Sequence, residues 1–340
     1  MLFQHTASTL DDGVLTLYGR TPDGSCALHT TLRPSLVCAR HPKDVMDDAE
    51  WVNSKIASYT YVPGHNILKW GKRRFCILKF DSTRDYYSVR KVLRKERIPI
   101  FNNQVSLDSH WFIERDLRPC SVFEVTTNPC ARTTTCDLEY NIATIQASDH
   151  IGIKPLVLSY DIECLVPEKG FPDAKKDPII TIGCYSSKES KCFCVHNTPG
   201  HNSYPTEKGM LNAFLTYVIT LDPDIITGHN INRFDNVYLR DRCKKNNVRF
   251  IWSRRKFFQS TIKHITTHSN QKGTQEQYRL TIPGRVIVDS YELYRAQHNL
   301  KSYKLDNIAK QFGLGSKFDM PYHLIRTKFR NPAGRKEIAD

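Results

Sequence analysis

Residues 155–165 read PLVLSYDIECL and give the first indication of the fold. Apolar residues fill the first half, as in a strand buried in a sheet, and the carboxylates of Asp161 and Glu163 follow. Because side chains alternate between the faces of a strand, these two residues lie on the same face. Neighbouring carboxylates repel each other unless a cation lies between them. The pattern indicates a divalent-cation site or, alternatively, the solvated end of a surface strand.

Strand-like and helix-like segments alternate on the C-terminal side of this stretch. The clearest helix covers 206–219, where apolar residues repeat from Leu211 to Val218 at i, i+3, i+4 and i+7. We expect strands at 178–186, 191–196, 224–228 and 284–290, and further helices at 234–244 and after Ser302 as N-cap. This order predicts an α/β fold in which a mixed sheet is flanked by helices.

One segment interrupts that order. Residues 263–282 have two Thr- and Ile-containing flanks around a polar tip, which predicts an inserted β-hairpin. His264 and His268 are four residues apart, a spacing that would suit a metal pair on a helix. On a strand the same spacing only makes them neighbours on one face, so we do not expect them to bind metal.

Two other acids follow strands of the predicted sheet. Asp235 lies in TGHNINRFDNVYL (227–239), in the first turn of the helix that follows the strand at 224–228. It could join a metal site or only interact favourably with the helix dipole. Asp289 ends the strand RVIVD, and we interpret it as a cap of the next helix.

Carboxylates from separate strand and helix ends would suit Mg²⁺, which prefers oxygen ligands and retains several waters. Two such ions about 4 Å apart can activate a water and stabilise a leaving oxygen in phosphodiester cleavage.

The first 150 residues predict a mixed α and β unit. Pro22–Gly24 reads as a hairpin turn, and a helix follows Ser82. Residues 125–150 are rich in Thr, Asn, Ser and Asp, and we interpret them as a loop-rich connection. We therefore expect a domain boundary near residue 150.

Composition restricts the class of protein. The 340 residues carry a net charge of +14, which favours polyanions such as nucleic acid or anionic lipid. No apolar run is long enough to span a bilayer, and the N-terminus lacks the features of a secretory signal, so we expect an intracellular protein. The eleven cysteines are irregularly spaced without a CxxC pair, and we interpret them as reduced core residues.

Two motifs together resemble a known family. LSYDIEC (158–164) and TGHNINRFDNVYL (227–239) are similar to the first and second exonuclease motifs of family B DNA polymerases. Residues 284–325 resemble the segment that follows them, and 14–29 and 109–125 more loosely resemble the family's N-terminal domain. The DIEC form is closest to delta-like nuclear members and those of large DNA viruses.

The resemblance implies a mixed α+β N-terminal domain at 1–150 and a ribonuclease H-like 3′→5′ exonuclease domain at 151–340. The implied activity is proofreading in DNA replication by two-metal phosphodiester hydrolysis, with two Mg²⁺ or Mn²⁺ ions. The implied metal ligands and catalytic residues are Asp161, Glu163 and Asp235, and the implied substrate-binding residues are Asn230, Phe234 and Tyr238.

The implied partners are DNA with a single-stranded 3′ end or a primer-template, a C-terminal polymerase polypeptide and a processivity factor. The implied location is the nucleus or a viral replication site, without a membrane.

This sequence departs from the family pattern at several points. Arg233 replaces a small or amide residue, and Val237 stands where many members have Pro. The third exonuclease motif, Tyr-x3-Asp, is expected after a segment like GRKEIAD (334–340), and the polymerase motifs are not in these 340 residues. Tyr294 and His298 have the spacing of the third motif, but His replaces Asp, and we do not expect them to substitute.

Three alternatives therefore stay open. The chain could be a non-catalytic DNA-binding fragment, one half of a split polymerase completed by a second polypeptide, or a stand-alone basic exonuclease. The 150 residues that precede the acids disfavour the last of these.

Overall fold

The computed structural model describes residues 1–46, 49–65, 72–167, 170–269, 273–315 and 320–340. The chain forms two compact units. The first contains residues 1–131 and 137–153, and the second contains residues 132–136 and 154–340.

The first unit consists mostly of strands. Its elements are β1 (Leu2–Asp11), β2 (Val14–Thr21), β3 (Gly24–Thr31), β4 (Ser35–Cys38), α1 (Glu50–Ser54), β5 (Ser58–His65), β6 (Lys72–Lys79), α2 (Thr83–Lys95), α3 (Leu107–Ile113), β7 (Val122–Pro129) and β8 (Leu138–Ala147). Five strands close into a barrel in the order β1-β2-β3-β8-β7, and a separate sheet has the order β4-β6-β5. The predicted hairpin turn joins β2 to β3, and the helix expected after Ser82 is confirmed as α2, with Ser82 as its N-cap.

The loop-rich connection predicted at 125–150 is wrong, because this segment supplies most of β7 and all of β8. The strands pair antiparallel, and the hydroxyls of Thr126 and Thr144 hydrogen-bond across them at 2.6 Å. Val125 is buried, whereas Glu124 and Thr126 on either side of it are exposed. A strand with one solvated face has many polar residues, so its composition resembles that of a loop.

The second unit contains the remaining elements. They are β9 (Val157–Cys164), β10 (Ile179–Ser186), β11 (Ser190–Val195), β12 (Asn202–Tyr204), α4 (Glu207–Leu221), β13 (Ile225–Gly228), α5 (Asp235–Lys245), β14 (Thr261–Ser269), β15 (Gly273–Thr281), β16 (Val286–Asp289), α6 (Ser290–Gln297), α7 (Leu305–Gln311), α8 (Ile325–Lys328) and α9 (Pro332–Ala339). Six strands form a mixed sheet in the order β12-β11-β10-β9-β13-β16. The predicted mixed sheet with helices is confirmed.

The strand β9 lies between an antiparallel neighbour, β10, and a parallel neighbour, β13, which in turn pairs parallel with β16. Its side chains alternate strictly, so that Leu158, Tyr160, Ile162 and Cys164 enter the core. Packing of this apolar face therefore turns the residues between them, including the two acids, toward the opposite face.

The predicted hairpin is confirmed as β14 and β15, which form their own two-stranded sheet. The ring of His264 stacks on the ring of its cross-strand partner Tyr278, with centroids 4.7 Å apart. The side chain of His268 lies outside the described residues. The contact at His264 is therefore a cross-strand stacking pair.

The start of α7 differs from the prediction. Its N-cap is Lys304, and no side chain caps the helix. The Ser302 hydroxyl instead accepts a hydrogen bond from the backbone N–H of Lys304 at 3.4 Å. Ser302 therefore shapes the turn that precedes the helix.

None of the eleven cysteines, all of which lie among the described residues, forms a disulfide, and eight of them are buried at core positions. Within the described part of the chain, no helix combines the length and apolar character needed to cross a bilayer.

A buried ion cluster fixes one end of the central strands. The guanidinium of Arg254, which is fully buried, donates to the carboxylates of Asp222 and Asp224 at 2.8 Å each. The other oxygen of Asp224 accepts from the backbone N–H of Leu156 at 2.7 Å, just before β9. The backbone of Asp224 also bonds to Leu156 and Val286, so this residue joins the starts of β9, β13 and β16.

We predict that Asp224→Asn lowers the free energy of unfolding of the second unit by about 3 kcal/mol, because it leaves Arg254 buried with one counter-charge fewer. Chemical denaturation followed by fluorescence measures this loss. Asp241→Asn is the control, since Asp241 pairs with Arg240 at the exposed surface and should cost less than about 0.5 kcal/mol. Equal losses in the two variants would contradict the prediction.

Candidate functional site

Asp161 and Glu163 lie side by side on the face of β9 that points away from the apolar core; Asp161 is exposed and Glu163 is half-buried. On β10, Asp161 is paired with Gly183 and Glu163 with Thr181. A Cβ added to Gly183 would meet no atom within 4 Å, so space is open beside Asp161. The two acids and their partners line one cavity of about 440 Å³.

Asp235 is the first residue of α5 and only 2% exposed. One of its carboxylate oxygens accepts a hydrogen bond from the backbone N–H of Ile162, between the two acids of β9, at 3.1 Å. The fold therefore brings Asp235 to Asp161, although 73 residues separate it from its partner on β9.

Burial is the largest cause that raises the pKa of Asp235 well above its ordinary value, and the negative charge of the adjacent Asp161 raises it further. A buried carboxylate beside a second one is unfavourable when both are ionised. A cation between them would relieve that repulsion. Asp161, Glu163 and Asp235, the metal ligands that the resemblance implies, offer carboxylate oxygens, which fit Mg²⁺ or Mn²⁺ rather than a metal that prefers sulfur.

Asn230 lies in the turn between β13 and α5. Its backbone has a φ of 63°, in the left-handed region that Asn tolerates better than most residues. Asn230 lines a second cavity of about 510 Å³, together with His229 and Tyr291. The structure thus places Asn230 at a surface open to a ligand.

Phe234 and Tyr238 lie one turn apart at the start of α5, with ring centroids 5.4 Å apart. Phe234 is 37% exposed, an unusually large fraction for a phenylalanine that lies at the start of a helix. Tyr238 is 5% exposed, and its hydroxyl donates to the carbonyl of Asp177 at 2.8 Å. Tyr238 therefore packs beside Phe234, and a direct contact between Tyr238 and substrate stays a prediction.

Asp289 caps α6 by accepting from the backbone N–H of Tyr291 at 2.9 Å, as the sequence predicted. It also accepts from the backbone N–H groups of Asn230 at 2.8 Å and Asn232 at 3.0 Å. The side chain is 4% exposed, and three N–H donors bond to its two oxygens. Asp289 therefore anchors the turn that carries Asn230.

His229 does not stand out in the local sequence, yet both nitrogens of its ring have a hydrogen-bonding partner. Its two nitrogens lie 3.0 Å from the Ser290 hydroxyl and 3.0 Å from the Tyr303 carbonyl. Since these partners are more than 60 residues away, no local pattern could have indicated them.

Tyr294 and His298 do not approach the carboxylates. Their rings pack on each other and on Phe312, and neither residue lines the cavity of Asp161 and Glu163. The expectation that they do not replace the third motif is consistent with this packing.

The positive charge is unevenly distributed between the two units. The second unit has 31 Lys and Arg residues against 18 Asp and Glu, whereas the first has 18 against 17. Almost the whole net charge of +14 therefore belongs to the second unit, which contains Asp161, Glu163 and Asp235.

Comparisons with known proteins agree with this geometry. Residues 98–308 match the family model described as DNA polymerase family B, exonuclease domain. The DNA polymerase delta catalytic subunit of Plasmodium falciparum is 35% identical over 200 residues, which cover 54% of this chain and 18% of that protein. The Drosophila melanogaster subunit is 27% identical over 301 residues, which cover 76% of this chain and 27% of that protein.

A family B DNA polymerase from the archaeon Pyrobaculum calidifontis shares the fold, with a TM-score of 0.77 at 19% identity. The match covers all of this chain and 44% of that one. The chain spans between about a fifth and a quarter of the length of the curated relatives it matches. The resemblance inferred from the two motifs is confirmed: the chain belongs to DNA polymerase family B and contains the exonuclease domain of that family.

Proposed function

We propose that this chain is the N-terminal and exonuclease part of a replicative DNA polymerase and that its second unit removes mismatched 3′-terminal nucleotides. The single observation that carries the proposal is the meeting of Asp161 with the buried Asp235 beside an open cavity. Its N-terminal domain would be residues 1–150 and its exonuclease domain residues 151–340.

Asp161, Glu163 and Asp235 would hold two Mg²⁺ or Mn²⁺ ions, which would supply an activated water and stabilisation of the leaving 3′ oxygen. In this assignment Asp161 and Glu163 would hold the ion that supplies the nucleophile, and Asp235 would be a ligand of the ion near the leaving oxygen. The protein contributes rigidity, because Asp235 is tied to the backbone of Ile162 and cannot move independently of β9.

The substrate is a single-stranded 3′ end. Asn230 lines the cavity of about 510 Å³, where its amide would contact the substrate, and the exposed side chain of Phe234 would give a base a surface on which to stack. The excess of basic residues in the second unit attracts the phosphate backbone.

The whole enzyme would act on a primer-template in the nucleus or at a viral replication site. It would need polymerase residues from beyond these 340, on the same or a separate polypeptide, and a processivity factor is a further proposed partner. Support for the nuclear assignment comes from the relatives, which are DNA polymerase delta catalytic subunits.

We predict that Asp235→Asn lowers the rate of mononucleotide release from a single-stranded oligonucleotide at least 100-fold, because several kcal/mol of transition-state stabilisation disappear with the ligand. Gel analysis of a 5′-labelled strand with Mg²⁺ measures the rate. Asp241→Asn, on the exposed side of the same helix, should retain full activity. DNA binding without any release by the unaltered chain would favour the non-catalytic alternative, unless a second polypeptide restores hydrolysis.

Metal binding should also stabilise the fold. We expect Mg²⁺ or Mn²⁺ to raise the melting temperature of the unaltered chain over that in EDTA, because the cation relieves repulsion between Asp161 and Asp235. In Asp235→Asn the metal-dependent increase should be largely lost. An equal increase in both proteins would place the stabilising ion elsewhere.

Asp289→Asn should raise KM for the oligonucleotide about tenfold, because an amide donor would face the N–H of Asn230 or Asn232 and release the turn. Steady-state kinetics give KM and kcat, and circular dichroism confirms the fold. Glu292→Gln is the control, since Gln keeps an oxygen that can accept from the Asn232 side chain. An unchanged KM in Asp289→Asn would show that the turn keeps its shape without this anchor.

A further inference from the structure

The segment 302–306 lies between two of the cavities of the second unit. Lys304 and Leu305 line both the cavity of about 510 Å³ at Asn230 and the cavity of about 440 Å³ at Asp161. Both volumes lie in the range of small-molecule ligand sites, roughly 300–1,000 Å³. A molecule that occupies both cavities would have to pass over these two residues.

The two cavities differ in chemistry. The larger one offers aromatic rings, from Tyr291 and Tyr303, and the amide of Asn230. The smaller one offers carboxylates, from Asp161 and Glu163 among others. A nucleic acid strand matches this order, with a base against the rings and a phosphodiester group at the carboxylates.

Lys304 supplies positive charge at the boundary. Among the described residues that line the two cavities, it is the one Lys or Arg, while the smaller cavity has five carboxylates, those of Asp161, Glu163, Asp306, Glu337 and Asp340. Glu337 and Asp340 are paired with Lys328 and Lys336, whereas Asp161, Glu163 and Asp306 add negative charge that opposes an approaching phosphate. A lysine ammonium on the wall between the cavities would offset that repulsion.

The side chain of Lys304 is available for this role. The N-cap position of Lys304 uses only its backbone, whose carbonyl accepts from Asn307 and Ile308. Its side chain is exposed and forms no ion pair with another described residue. The start of α7 therefore fixes the backbone while the ammonium can turn toward either cavity.

We propose that Lys304 binds a phosphate of the DNA strand where it crosses from the aromatic cavity to the carboxylate cavity. This inference rests on the proposed function of the same site and adds a substrate-binding residue that the two motifs do not contain. Lys304 acts on the strand's position, because it holds the phosphodiester backbone between the two cavities.

The test compares Lys304→Gln with Lys301→Gln in the full chain. Lys301 is exposed, three residues away, and lines neither cavity, so it controls for the loss of one positive charge. Fluorescence anisotropy with a single-stranded oligonucleotide in Ca²⁺ gives Kd at several salt concentrations, and nuclease assays in Mg²⁺ give KM and kcat.

We expect Lys304→Gln to raise Kd and KM about tenfold, to change kcat less than about twofold, and to reduce the slope of log Kd against log salt by about 0.7, the loss of one phosphate contact on a single strand. Lys301→Gln should change KM less than about twofold. A second experiment places one neutral methylphosphonate linkage at successive positions near the 3′ end of the oligonucleotide. At the position that contacts Lys304, this linkage should raise Kd for the unaltered chain. The same linkage should not raise Kd further for Lys304→Gln, because that variant has already lost the contact.

The outcomes separate this inference from the function on which it rests. If the unaltered chain binds DNA but releases no nucleotide, and Lys304→Gln still loses binding and salt slope, the proposed nuclease fails while the phosphate contact stands. If hydrolysis is normal and both lysine variants behave alike, the phosphate contact is refuted and the nuclease stands. A fall in kcat at unchanged KM would also refute it, since Lys304 would then act on the carboxylates.

Discussion

The bonds of Asp224 set the position of the central strands and, through them, of the site. The residue joins the backbone of Leu156 to that of Val286 while its carboxylate pairs with the buried Arg254. With the strand starts held together, Ile225 is opposite both Val157 and Val286, and Gly228 at the other end is opposite Asp289. An ion cluster at one end of the central strands therefore fixes the geometry at their other end, where Asp161, Asp235 and the turn of Asn230 lie.

The sequence predicted those parts of the site that depend on local periodicity. Alternation along β9 places Asp161 and Glu163 on one face, and the helix signal after Asn230 places Asp235 at the first turn of α5. The contact of Asp235 with Ile162 depends on parallel pairing between segments that are far apart in the chain. No residue near Asp235 encodes that pairing, so its burial and its raised pKa emerged only from the fold.

The predictions from sequence failed for two reasons. In some segments the composition fits either a loop or a strand, and in other cases a residue's hydrogen-bonding partner is far away in the chain. A Thr-rich segment became two barrel strands, because one of its faces is solvated as a loop would be. Ser302 has the residue type of an N-cap, but the N-cap of the helix is Lys304, two residues later. For Asp289, the cap was visible in the sequence, whereas the bonds to Asn230 and Asn232 cross about 60 residues.

The left-handed backbone of Asn230 limits which residues natural selection can accept at this position. Glycine would adopt the φ of 63° with ease but would carry no amide to the cavity, and glutamine would carry the amide but resist that backbone. Aspartate would tolerate the conformation yet bring another negative charge toward a polyanion. Under the proposed function, the main-chain conformation and the substrate each restrict this position independently, so few residue types would satisfy both.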